Sequence, residues 1–198
     1  MNPPVWPPRL RPDSVGFDEA GLRFQPLGRR DAPELLELAR DSAAEISHWM
    51  RWTDAVVDLT TAAARIAVWE EEWDRGEMYA FAAFDATSGR MVGGGGLGQF
   101  NARNRFGNLA YWVRTPDRGR GYGPRIARAL SRFGIHALGM LRVEILMEPG
   151  NTASRRVAEK AGAVSEGTLR QRILNRDPRT ALLFSIIPSD LEVPAAWE

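Results

Sequence analysis

The sequence predicts an α/β fold, a mixed sheet flanked by about four helices. Three observations carry that prediction. MYAFAAFD (78–85), RMVGGGGLGQF (90–100) and NRFGNLAYWVR (104–114) are strand-like, and the turn ATSG links the first two, so they read as an antiparallel meander. Beyond them, strand and helix signals alternate to the end of the chain. The chain has 198 residues, 44% hydrophobic and 26% charged, which suits one soluble domain with a core of its own.

Each element has a local reason. GLRFQPL (21–27) alternates apolar and polar residues and reads as a strand. Asp31 with Glu34 looks like a capping pair opening a helix over Leu35, Leu36, Leu38 and Ala39. A second helix covers 61–76, with Ala63, Ile66, Ala67, Glu70 and Trp73 near helical spacing and Gly76 as its stop. After residue 121 a helix carries Ile126, Leu130, Phe133 and Ala137 inward and Arg125, Arg128, Arg132 and His136 outward. LRVEILME (141–148) is a strand, and 151–162 is a helix with Asn151 as N-cap and Gly162 as C-cap. Two last strands, 163–173 and 179–187, flank the turn NRDP.

Composition narrows the chemistry. With no cysteine, disulfides, thiolate metal sites and a cysteine nucleophile are excluded, and His48 and His136 alone are too few for a histidine-rich metal site. No apolar run reaches the roughly 20 residues of a membrane span. The proline-rich start, MNPPVWPPRLRP, lacks a signal peptide's apolar core and is expected to form an extended or partly disordered arm of a cytoplasmic protein. Charge is divided along the chain. Residues 1–100 hold 10 basic and 16 acidic side chains, and residues 101–198 hold 16 and 9. An anion suits the second half and a cation the first, although 25 of the 26 basic residues are arginine, and a composition bias explains the split equally well.

Two glycine clusters compete as phosphate sites. Gly93, Gly95 and Gly98 have dinucleotide-fingerprint spacing, but a loop and a strand follow where that motif needs a helix. They are expected instead in a strand against which something packs closely. The stretch DRGRGYGPRIARAL (117–130) has what the first cluster lacks. Its glycines let backbone N–H groups converge, the helix N-terminus adds positive potential, and Arg118, Arg120 and Arg125 add charge. A phosphate or pyrophosphate fits there; a plain β–α turn with solvated arginines is the alternative.

RGRGYG resembles the R/Q-x-x-G-x-G/A signature of the GNAT superfamily of N-acetyltransferases at Arg118, Gly121 and Gly123. HWMRW (48–52), LAYWV (109–113) and NTASRRVAEKAG (151–162) are similar to motifs of its RimJ/RimL branch. The resemblance runs from about residue 21 to 187, leaving 1–20 as an arm and 188–198 as a tail. It implies a GNAT-like, mostly antiparallel sheet of about seven strands. It implies acetyl-CoA as cosubstrate, no metal, a small or protein-borne primary amine as acceptor and a homodimer as one option. Arg118, Gly119, Arg120, Gly121, Tyr122 and Gly123 would hold the pyrophosphate with Arg125, while Trp112, Val113 and Arg114 would pair with the pantetheine arm. Asn151 would reach the pantetheine and also cap its helix. Ser154 would protonate the departing thiolate, or is simply a polar residue of the first turn.

Two positions depart from the family pattern. Ile173 stands where some relatives carry a catalytic glutamate, which leaves Glu144 as substitute base, with Glu77 and His48 behind it. Pro124 removes one N–H from the helix start. Trp49, Trp52, Trp69 and Trp73 could wall an acceptor cleft or fill the core, and the acids Glu70, Glu71, Glu72, Asp74 and Glu77 could draw a cationic amine. Neither a membrane nor a nucleic acid is an expected partner, since the arginines gather at one loop rather than along a stripe. A CoA-binding sensor that lost turnover is the competing function, supported by Ile173.

Overall fold

The computed structural model describes residues 6–192; residues 1–5 of the expected arm and 193–198 of the expected tail lie outside it. Eight strands form one sheet: β1 (Phe17–Glu19), β2 (Leu22–Pro26), β3 (Met78–Asp85), β4 (Met91–Asn101), β5 (Phe106–Val113), β6 (Arg142–Met147), β7 (Val164–Asn175) and β8 (Asp177–Ile186). Their order is β1-β2-β3-β4-β5-β6-β8-β7, and β5–β6 is the parallel pair in an otherwise antiparallel ladder. Helices α1 (Ala32–Ile46), α2 (Trp52–Ala55) and α3 (Leu59–Asp74) cover one face. Helices α4 (Tyr122–His136) and α5 (Thr152–Ala161) cover the other. The short β1 and the single-turn α2 are additions to the elements legible in the sequence.

Caps explain most helix boundaries. Asp58 accepts a hydrogen bond from the Thr61 N–H (2.8 Å) at the head of α3. Asn151 does the same for the Ser154 N–H (3.0 Å) at α5, which ends on Gly162 at φ +91°. Asp31 does not cap α1. Its carboxylate turns back to the Gly28 N–H (3.0 Å), and burial raises its pKa.

The glycines of β4 permit close packing on both faces of the sheet. A Cβ on Gly93 or Gly95 would lie within 2.8 Å of Ile126 or 2.7 Å of Leu130, the α4 side chains above them. On the opposite face, a Cβ on Gly94 would meet the Trp112 ring at 2.6 Å. The four-glycine run therefore seats a helix on one side and an indole on the other.

Two positions, one in α4 and one just beyond it, correct the helical pattern. Arg128 is buried, and its guanidinium donates to the carbonyls of Ala161 and Leu191, so it clasps the Pro188–Leu191 turn against α5. Ala137 is exposed because the helix stops at His136. The arm is tied down from its first described residue: Trp6 Nε1 donates to Leu138 O (2.6 Å), Tyr79 Oη to Pro8 O (2.6 Å) and Trp73 Nε1 to Leu10 O (2.8 Å). Trp69 and Trp73 are core residues.

A Cβ at Gly94 would also approach the Phe81 carbonyl to 2.4 Å, and backbone cannot swing aside. Gly94→Ala should therefore cost about 1–3 kcal/mol by thermal unfolding. Gly16→Ala, whose Cβ meets nothing closer than 3.6 Å, should stay within about 0.5 kcal/mol. Equal melting of the two variants would refute the packing account.

Candidate active site

Strands β5 and β6 run together only at Phe106–Arg142, Gly107–Val143 and Asn108–Glu144. Beyond Asn108 they diverge. The Arg114 N–H donates to Val92 O (2.9 Å), which fixes the alternation along β5. Successive N–H groups of a strand point to opposite edges, so those of Tyr111 and Val113 face the opening. A cavity of about 430 Å³ fills this gap. It passes between the two faces of the sheet, with Ser154 and Val157 on the α5 side and Trp49, Met50 and Trp112 on the α1 side.

The loop at its mouth is firmly held. Gly119 (φ +78°) and Gly121 (φ +77°) adopt left-handed backbone, and a Cβ on either would meet nothing within 4 Å. They are glycines for their conformation, which other residues rarely adopt. Buried Asp117 accepts from Arg90 Nη2 (3.1 Å) and lies 3.5 Å from Arg120. Tyr122 Oη donates to Asp85 (2.9 Å), whose carboxyl is held down to about 2 by the Ser88 N–H and hydroxyl and by Tyr122. A Cβ on Gly123 would come within 2.8 Å of Val157, so the first turn of α4 rests directly on α5. Pro124 is the third residue of α4 and leaves the N–H groups of Tyr122 and Gly123 ahead of it.

Of the residues singled out in the sequence, Trp112, Val113, Arg118, Gly119, Gly121, Tyr122, Gly123, Asn151 and Ser154 line the cavity. Arg114, Arg120, Arg125 and Glu144 do not. Arg114 is paired with Asp41 of α1. Arg125 donates to the carbonyls of Ala20, Arg120 and Gly121 and lies over the Tyr122 ring, so it braces the loop from outside. Glu144 sits where β5 and β6 are still paired, and Arg142 holds it at 3.1 Å. A base at Glu144 would be outside the gap.

The model of the acetyltransferase (GNAT) domain family matches residues 21–164, most of the chain. The chain belongs to the GNAT acetyltransferase family. It is 29% identical over 156 residues to "Probable N-acetyltransferase YjcK" of Bacillus subtilis, covering 77% of this chain and 85% of that protein. Mycobacterium smegmatis RimJ in complex with CoA-disulfide shares the fold at TM-score 0.77 and 23% identity, over 89% of this chain and 86% of that one. The ribosomal-protein-S5-alanine acetyltransferase of Vibrio fischeri does so at TM-score 0.75 and 16% identity, over 91% and 100%.

Five polar residues line this GNAT cavity to which the sequence alone assigns no role: Tyr111, Asp117, Glu148, Arg156 and Lys160. Tyr111 Oη donates to Ser154 O (2.9 Å) and stands 3.0 Å from Ser154 Oγ. Burial pushes its pKa up, so the phenol keeps its proton. Arg156 and Lys160, one helical turn apart on α5, add positive charge beside Arg118, which pairs with Glu45 of α1. Ile173 lines the cavity too, and Glu148 supplies a carboxylate there. Glu148 also lines a second cavity of about 310 Å³ with Ser47, His48, Asn175, Arg176 and Arg179. Asn175 Nδ2 holds it at 2.8 Å and reaches the His48 carbonyl at 2.9 Å.

None of Glu70, Glu71, Glu72, Asp74 and Glu77 lines either cavity. Arg29 pairs with Glu70, Arg65 with Glu72, and Arg75 with Glu71 and Glu77. Among the described residues, no group of three His, Asp or Glu side chains is placed to hold a metal ion.

Tyr111→Phe removes the bond that joins β5 to the head of α5. It should cost about 1–3 kcal/mol, because the Ser154 carbonyl loses a buried donor. Thermal unfolding at the wild-type temperature would show that the hydroxyl contributes nothing.

Proposed function

We propose that this acetyltransferase moves the acetyl group of acetyl-CoA to the α-amine at the N-terminus of a protein. The observation that carries the reading is the open main-chain edge of β5, which leads from the glycine loop to Ser154. The residues fit the cosubstrate. Gly119 and Gly121 leave open space where any other residue would place a Cβ, and Arg118, Arg156 and Lys160 match phosphate charge. The free edge at Tyr111 and Val113 offers the amide pairing that a pantetheine arm requires. RimJ with its CoA-disulfide and the S5-alanine acetyltransferase share this fold, and YjcK is named an N-acetyltransferase, which supports the choice of amine.

Acetyl-CoA supplies the activated thioester. The loop and β5 orient it: the Val113 N–H, nearer the loop, pairs with the pantetheine arm, and the N–H of Tyr111, the residue bonded to Ser154, donates to the thioester carbonyl oxygen. Trp49, Met50 and Trp112 wall the amine side and exclude water. Glu148 takes the proton that the ammonium must lose before it attacks. Ser154 Oγ holds a proton for the departing sulfur, and Tyr111 Oη fixes that hydroxyl in place. Ile173 favours the alternative of a CoA-binding sensor without turnover, whereas Glu148 restores a carboxylate to the same cavity.

Ser154→Ala should lower kcat about 10²-fold with little change in the KM for acetyl-CoA. The cap survives in this variant because Asn151 binds the residue's main-chain N–H. Glu148→Gln should lower kcat at least as far, and a higher pH should partly rescue it by deprotonating the amine directly. Gly121→Asp should abolish acetyl-CoA binding in calorimetry while the protein stays folded. Normal turnover in both variants would remove Ser154 and Glu148 from the chemistry, and acetyl-CoA binding by the wild-type protein with no CoA release would support the sensor.

A further inference from the structure

Apart from Glu148, the second cavity is lined by groups that the transfer step does not use. Arg176 sits at the tip of the β7–β8 hairpin and has no carboxylate partner among the described residues. Arg179 has only Asp177 at 3.7 Å, a loose pair with 53% and 76% of the two side chains exposed. Glu148 lines the same cavity but forms no ion pair with either arginine, and Asn175 Nδ2 holds its carboxylate at 2.8 Å. His48, stacked edge-on against Trp49, completes the wall beside Glu148. Two arginines short of countercharge therefore lie within one cavity, and that cavity meets the first at the proposed base.

We infer that the second cavity reads acidic side chains in the first few residues of the acceptor, just behind the amine being acetylated. The inference rests on the N-terminal acetyltransferase reading and names its substrate class. Glu148 marks the junction of the two cavities, so an amine presented there leaves the following residues against Arg176 and Arg179. Carboxylates suit that position, because the planar guanidinium fork binds them in pairs of hydrogen bonds. A lysine-rich acceptor would bring like charge against the same wall. The acids that might have favoured one lie at the end of α3, where arginines of their own pair with four of the five.

Three peptides with the same first residue, followed by Asp-Asp, Asn-Asn or Lys-Lys, test this. CoA release gives KM for each, and anisotropy of C-terminally labelled peptides gives binding in the presence of CoA. The acidic peptide should have a KM about tenfold below the neutral one, because two half-exposed pairs contribute modestly each. The contrast should shrink as salt is raised. The double variant R176E/R179E should invert the ranking toward Lys-Lys, with a melting curve confirming the fold. Acetylation of all three peptides with equal KM would overturn this inference and leave the transferase reading intact. Selective binding of the acidic peptide without CoA release would keep the anion site and remove the transferase reading. Equal binding without release would refute both.

Discussion

The site depends on two parallel strands that part company after three residue pairs. Had β5 and β6 stayed in register past Asn108 and Glu144, the N–H groups of Tyr111 and Val113 would be bonded within the sheet. No cavity would then pass between its faces. Each forgone ladder bond costs about 0.5–1.5 kcal/mol, so the gap needs a replacement tie. Tyr111 provides one, since its hydroxyl bonds to the first turn of α5 instead of β5 bonding to β6.

The rest of the fold holds the two sides of this gap in place. The glycines of β4 let α4 sit close on the sheet, which fixes the loop at its N-terminus. Gly123 against Val157 then sets α5, and α5 carries Asn151 and Ser154. Arg128 clasps the far end of α5 to the Pro188–Leu191 turn, away from the chemistry. On the other face α1 contributes Asp41 and Glu45, which hold Arg114 and Arg118 at the loop's approaches. The cofactor side is thus built from backbone and fixed charge, and the acceptor side from aromatic walls and one carboxylate.

Local signals made much of this legible in the sequence. Strand alternation, the caps at Asn151 and Gly162 and the crowded glycines of β4 are written in neighbouring residues, and each appears in the structure. The nine cofactor-binding and catalytic candidates that line the cavity come from contiguous motifs. What escaped depends on long-range placement. Glu144 and Glu148 lie four residues apart on LRVEILME, and nothing local says that the pairing ends between them. Arg128 has the spacing of a solvent-facing arginine, yet the Pro188–Leu191 turn folds over it. Arg125 shares the loop's charge but points back to Ala20, more than a hundred residues earlier in the chain. The acids of α3 form a conspicuous run whose arginine partners, Arg29 among them, come from packing as well as from sequence neighbours.

Residue-resolved amide hydrogen exchange, with and without CoA, tests the central claim most directly. The Tyr111 and Val113 amides should exchange readily in the free protein and slow by at least about tenfold once CoA occupies the gap. The Trp112 amide, turned toward β4, should be protected in both states. Unchanged exchange at Tyr111 and Val113 under saturating CoA would contradict the account, because the open edge of β5 would then play no part in holding the cosubstrate.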